Sequence, residues 1–197
     1  MAQLKMYRLP DAKLPKLTLP EGYSISRFSS DADIPGWIAC CMDGSLIDEA
    51  NGEQSFEDTI RKMPGIVPER DVFFLDHNGQ HVATATTFIR TEDGAGCLHM
   101  VGMRTEYRGK GLSKYITCAA LENLEGKPIP FTRLLTDEFR LGAIKTYLDF
   151  DFLPVEYDVG MLERWEQVLG TLGVDSVQML CDDAAPFRTI YRPDGNR

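Results

Sequence analysis

The chain has 197 residues, 43% of them apolar, and a formal net charge of −9. That length and apolar share suit one domain with a well-filled core, and the acidic balance argues against general binding to nucleic acid or an anionic membrane. Cysteines at 40, 41, 97, 118 and 181 make an odd number with no C-x-x-C pair, which fits reduced, mostly buried thiols in a cytoplasmic protein rather than a disulfide scaffold.

Residues 1–21 carry Leu-Pro pairs at 9–10, 14–15 and 19–20. Proline fixes φ and pushes the residue before it away from helix. An extended arm is expected, lying on its own domain or on a partner subunit. The same prolines interrupt any apolar run, so neither a signal peptide nor a spanning helix is expected there. Residues 22–28 predict a first strand, with Tyr23, Ile25 and Arg27 alternating against Ser24 and Ser26. Ser29, Ser30, Asp31 and Asp33 are helix-start signals, and Pro35 suits a first turn. The helix continues through Trp37, Ile38 and Cys41. Residues 43–54 are polar, contain Gly44 and Gly52, and read as a loop. Residues 55–63 predict a short second helix, closed by Pro64-Gly65. Two β-rich runs, 72–76 and 81–88, flank Asn78-Gly79, a pair that accepts positive φ and predicts a hairpin. His77 and His81 flank that turn. Exposed hairpin histidines are ordinarily just polar groups.

Residues 97–103 predict a strand with His99, Val101 and Met103 on one face and Leu98 and Met100 on the other. Gly102 inside it points to a bulge or a close backbone approach, or simply to packing. Residues 104–111 form a loop, and a helix follows. Its apolar residues Leu112, Tyr115, Ile116, Ala119, Ala120 and Leu124 make one buried stripe. The first N–H groups of a helix lack intrahelical partners, and its dipole is positive at that end. Gly109 and Gly111 let the backbone turn sharply just before it, while Arg108, Lys110 and Lys114 add positive charge. The junction reads as a site for a phosphate or pyrophosphate, or as a helix start with glycines serving the turn alone. Two familiar phosphate loops do not fit. Gly111 is followed by Leu112 rather than the Lys of a nucleotide-hydrolase loop, and Lys114 stands where a dinucleotide fingerprint needs Gly or Ala.

Further on, 126–130 is a break, 132–136 a strand, and Asp137 can cap a helix running to about residue 149. Residues 150–157 return as a strand with Pro154 near the middle, which favours an edge or bulged position. Residues 163–169 predict a short amphipathic helix with Trp165; residues 170–197 are mixed. No internal repeat, dividing linker or metal-ligand spacing is apparent.

Arg108-Gly109-Lys110-Gly111-Leu112-Ser113, after an apolar strand and Glu106-Tyr107, resembles the acetyl-CoA loop [RQ]-x-x-G-x-[GA] of the GNAT superfamily of N-acetyltransferases. Arg108 and Gly111 match, and Ser113 is a small residue where Gly or Ala is usual. Downstream, Ala143, Ile144, Tyr147 and Phe152 match the second family block. Arg140 replaces its usual Asn, and Asp151 its usual Gly. The two blocks span roughly residues 96–155.

The resemblance implies a mixed α/β (α+β) fold: a mostly antiparallel sheet with a splayed central strand pair and flanking helices. Residues 22–170 would form the domain, and 171–197 an extension packed on it or on a partner. It implies acetyl-CoA as cosubstrate, with no metal. The pyrophosphate would lie on the N–H groups of Gly109, Gly111, Leu112 and Ser113, and the pantetheine arm on backbone groups of Val101 and Met103. The region between the first two helices would lie over the acceptor cleft. The acceptor would be a primary amine of a small molecule or peptide; nucleic acid and membrane are not expected partners, and a homodimer is left open.

Acyl transfer to an amine needs a deprotonated nucleophile, a polarised thioester carbonyl and a stabilised thiolate. Tyr147 matches the family tyrosine that protonates the thiolate, and its place beside Ala143 and Ile144 also suits a core residue. The Met103 N–H is the candidate for polarising the carbonyl. His99 is the candidate base, or a hydrogen-bonded core histidine. Asp137 could bind a cationic amine, though capping is simpler. Rival readings are a non-catalytic CoA-binding regulatory module and a binder of nucleotide phosphates.

Overall fold

A computed structural model describes residues 2–193. Its elements in chain order are β1 (Leu4–Arg8), β2 (Tyr23–Arg27), α1 (Ile34–Met42), α2 (Gly52–Phe56), α3 (Pro68–Asp71), β3 (Val72–His77), β4 (Gln80–Ile89), β5 (Gly96–Met103), α4 (Ser113–Glu122), β6 (Thr132–Thr136), α5 (Leu141–Asp149), β7 (Phe152–Glu156), α6 (Met161–Leu172), β8 (Ser176–Cys181) and β9 (Pro186–Tyr191). The architecture is mixed α/β with mostly antiparallel strands, as expected. The chain divides into two compact units, one over Leu14–Ile129 and one joining the chain before Leu14 to the chain from Pro130 onward.

In the Leu14–Ile129 unit the strands lie in the order β2-β3-β4-β5, all antiparallel. Asn78 and Gly79 both have positive φ, +50° and +73°, the conformation that a two-residue hairpin needs. One sheet face buries Phe74, Phe88 and Cys97 against Trp37 and Cys41 of α1, Phe56 of α2 and Ile60. The other face meets α4, whose Ile116, Ala120 and Leu121 are buried. Thr87 Oγ1 donates to the Ala120 carbonyl across that interface at 2.7 Å. Residues 43–54 are less irregular than their glycines suggest. A 3₁₀ turn at Glu49–Asn51 leads into α2 at Gly52, and a π-helical turn over Glu57–Arg61 continues it.

In the other unit the order is β6-β1-β7-β8-β9. Only β7 and β8 pair in parallel among its described pairs. Residues 4–8, read from sequence as part of an arm, pair with β6 on one side and β7 on the other. Leu4 and Met6 are completely buried, so the burial of alternate apolar residues outweighs the prolines that follow. Pro154 is likewise not at an edge. It stands opposite Met6, and the ladder to β8 begins one residue later, at Val155. The missing proline N–H thus removes nothing from that ladder. The closing helix runs longer than 163–169 because Met161, Trp165, Val168 and Leu169 form a continuous buried stripe. The mixed region after it forms the β8–β9 hairpin.

Candidate functional site

The site is built where β5 runs out into the loop before α4. Thr84 pairs with Gly102 and Thr86 with His99, so two residues, Met100 and Val101, stand opposite Ala85 alone. This is a β-bulge, and Met100 takes a left-handed φ of +49° within it. The bulge corrects the simple alternation. Paired residues share a face, so His99 and Gly102 lie on the α1 side, and Met103, paired with Ala83, lies on the α4 side. Gly102 answers to a close approach, but not to that of a ligand. A Cβ there would sit 2.6 Å from the Cys40 carbonyl oxygen of α1.

Beyond Met103 the loop is pinned by its own and its neighbours' polar groups. The Arg104 N–H donates to the Val82 carbonyl at 3.0 Å, and Arg104 Nε to the His81 carbonyl at 2.9 Å. The Thr105 N–H donates to Asp43 Oδ2 at 2.7 Å. Arg108 folds back so that Nε and Nη2 both donate to the Met103 carbonyl, at 3.1 and 2.9 Å. Gly109 and Gly111 have φ of +71° and +68°, and no atom would crowd a Cβ at either. Their requirement is conformational. The turn delivers the chain to α4, whose N-cap Leu112 has no side-chain acceptor to offer. Lys110 Nζ lies 5.1 Å from the Tyr107 ring and Lys114 Nζ 5.0 Å from the Tyr115 ring. The structure therefore brings Arg108, Gly109, Lys110, Gly111, Leu112, Ser113 and Lys114 to one exposed bend at a helix start, following directly from Val101 and Met103.

His99 is half-buried under the helical turn that follows α2. Its Nε2 donates to the Thr59 carbonyl at 3.1 Å, and its ring meets Phe88 edge-on. Tyr147, on α5 in the other unit, is 6% exposed and packs edge-to-face on Phe152 at 5.9 Å. Burial pushes its hydroxyl up to about 12, against a smaller opposing effect of Arg140. Asp137 accepts from Arg140 and from the Gln3 amide.

Sequence reasoning passed over one cluster. The His81 ring stacks on Phe74 at 3.8 Å and faces Asp76 through Nδ1 and Asp33 through Nε2. Gly36 of α1 lies directly on it. Burial would raise the Asp33 carboxyl, but the Ser29 amide and hydroxyl, the Ser30 amide and His81 together hold it below its ordinary value. The cluster fastens the start of α1 to β3 and β4. Asp76-x-x-x-x-His81 across a tight hairpin was the available signal.

No family model matches the chain. A mycothiol acetyltransferase from Streptomyces coelicolor is 26% identical over 160 residues, covering 80% of this chain and 52% of that protein. The chain thus spans about half the length of the curated relatives it matches. A GCN5-related N-acetyltransferase from Sphaerobacter thermophilus superposes with a TM-score of 0.60 at 19% identity, covering 78% of this chain and 49% of that one. A diaminobutyrate acetyltransferase from Paenibacillus lautus, in complex with its substrate and coenzyme A, gives a TM-score of 0.53 at 12% identity, covering 65% and 74%. The signature loop and the bulged strand before it agree with these likenesses: the chain has the fold of the GCN5-related N-acetyltransferases and is similar in sequence to mycothiol acetyltransferases.

Proposed function

We propose that the chain holds acetyl-CoA at the 101–114 bend and moves its acetyl group to a primary amine of a small molecule or peptide by direct attack. One observation carries the reading. Two left-handed glycines turn the chain into an α4 start without a side-chain cap, beside Lys110 and Lys114 on a chain of net charge −9. Helix amides and local positive charge suit a diphosphate. The residues needed for the cofactor are present: amides of Gly109, Gly111, Leu112 and Ser113 for the diphosphate, and backbone groups of Val101 and Met103 for the pantetheine arm. No metal enters this reading.

In the reaction the amine nitrogen forms a bond to the acetyl carbon and the carbon–sulfur bond breaks. The Met103 N–H polarises the carbonyl oxygen as charge develops. Tyr147 serves the departing thiolate. A hydroxyl raised to about 12 stays protonated at neutral pH. The departing thiolate, whose conjugate thiol has a pKa of about 8.5, is a weaker base than the Tyr147 phenolate would be, so the hydroxyl acts first as a hydrogen-bond donor to sulfur and full transfer is uphill. His99 is the base we propose. Its contact with Thr59 puts it beside the helical region that the family resemblance assigns to the acceptor cleft. The setting is taken as cytoplasmic, in keeping with five cysteines that lack the spacing of a disulfide framework, and a homodimer is compatible with it.

Calorimetric titration with CoA, followed by thiol release from acetyl-CoA across a panel of amines, tests the proposal. Binding with amine-dependent release is expected. Binding without release would leave a CoA-binding regulatory module, and absence of binding would end the reading. Gly111→Val places a β-branched residue at φ +68°. It is expected to weaken CoA binding about fivefold to thirtyfold, since left-handed backbone costs an ordinary residue roughly 1–2 kcal/mol.

A further inference from the structure

Arg108 opens the matched signature, and its charge invites assignment to the diphosphate. Its contacts point elsewhere. Both Nε and Nη2 donate to one acceptor, the Met103 carbonyl oxygen. These two groups form one edge of the guanidinium, the kind of edge that grips an oxyanion with paired hydrogen bonds. Here that edge is turned inward on the loop's own backbone. The peptide unit it holds is fixed at its other end too, because the Arg104 N–H bonds the Val82 carbonyl on β4. Thr105 is then tied to Asp43, and the Arg108 N–H to the Thr105 carbonyl. Residues 103–108 thus form a closed loop whose seam is the Arg108 side chain.

We infer that Arg108 is a positioning residue for acyl transfer: it fixes the Met103–Arg104 peptide by its hydrogen bonds and does not act as a charge on the diphosphate. The inference rests on the cofactor reading above. Met103 is the residue whose N–H is asked to polarise the thioester, and its own ψ is set by where its carbonyl is held. The charge for the diphosphate is left to Lys110 and Lys114, whose ammonium groups lie against Tyr107 and Tyr115 beside the bend.

Two variants separate donor from charge. In Arg108→Gln, Nε2 stands the same number of bonds from Cα as arginine Nε, so a donor remains without a cation. In Arg108→Met the length is kept and both donor and cation are lost. Arg108→Met is expected to lower kcat about tenfold while the CoA dissociation constant moves less, and Arg108→Gln to recover most of that loss, as for removal and partial return of a charge-assisted hydrogen bond. Amide exchange at Arg104 and Thr105, read without any cofactor, is expected to quicken in Arg108→Met and much less in Arg108→Gln. CoA affinity lost equally in both variants would overturn the inference in favour of a phosphate contact. So would amide exchange unchanged in both. Failure of the unmodified protein to bind CoA would instead strike the proposed function, while the exchange measurement would still show whether Arg108 holds the loop.

Discussion

At Tyr147 a hydroxyl is carried on a ring that is almost wholly buried against Phe152. Its ordinary pKa is 10.0, and burial pushes it up to about 12. The unfolded chain therefore releases this proton at a lower pH than the folded one. The group's contribution to stability is intact below its unfolded value and is lost as pH climbs toward about 12, at up to ~1.4 kcal/mol per pH unit. Tyr147→Phe should lack this loss, so its denaturant stability should fall less than that of the unmodified protein between about pH 10 and about pH 12. The same variant should lower turnover about tenfold to a hundredfold with CoA affinity unchanged, as expected for losing a proton donor. Unchanged turnover would remove Tyr147 from the mechanism. Its match to the family block was readable from the sequence. Its protonation was not, because that depends on what surrounds the ring.

The element that departs most from sequence expectation is β5. Period-two alternation groups His99 with Met103, and a single inserted residue at Met100–Val101 separates them onto opposite faces. The cause lies in a neighbouring strand and helix. β4 fixes the register on both sides of the bulge, and α1 presses its backbone onto Gly102. Gly102→Ala would drive a Cβ to 2.6 Å from the Cys40 carbonyl oxygen, and that atom cannot rotate away as a flexible side chain would. A loss of about 2 kcal/mol or more is expected in denaturant unfolding, at the scale of overpacking a close contact. Stability equal to the unmodified protein would mean that α1 shifts without cost. The hairpin ahead of β5 shows the opposite case. Asn78-Gly79 needs positive φ from both residues, and that local demand alone predicted the turn that formed.

On the scale of the whole molecule, one compact unit is assembled from both ends of the described chain. β1 lies between β6 and β7, more than a hundred residues downstream. Arg8 reinforces the join: its Nε donates to the Phe150 carbonyl at 3.0 Å, and the side chain is buried. Deleting residues 2–9 should therefore unfold that unit rather than trim an arm. Amide exchange should report lost protection throughout β6 and β7. Preserved protection in both strands would show that they pair stably without β1. The acidic surface belongs to this scale as well. On a chain of net charge −9, the diphosphate proposed above would be drawn only to the few cations around one bend.

Local chemistry was legible in the residues themselves. Gly109 and Gly111 announced the bend before α4, because positive φ is a property of a short stretch. The apolar stripe of α4 and the strand at 132–136 followed from periodicity for the same reason. Tertiary structure decided the rest. It drew residues 4–8 into the middle of a sheet, placed Pro154 inside rather than at an edge, and turned Arg108 onto Met103. It also set His81 between Asp33 and Asp76. Each of these depends on partners distant in sequence or on the path of the backbone, and burial and hydrogen-bond pairing are settled only when those partners meet.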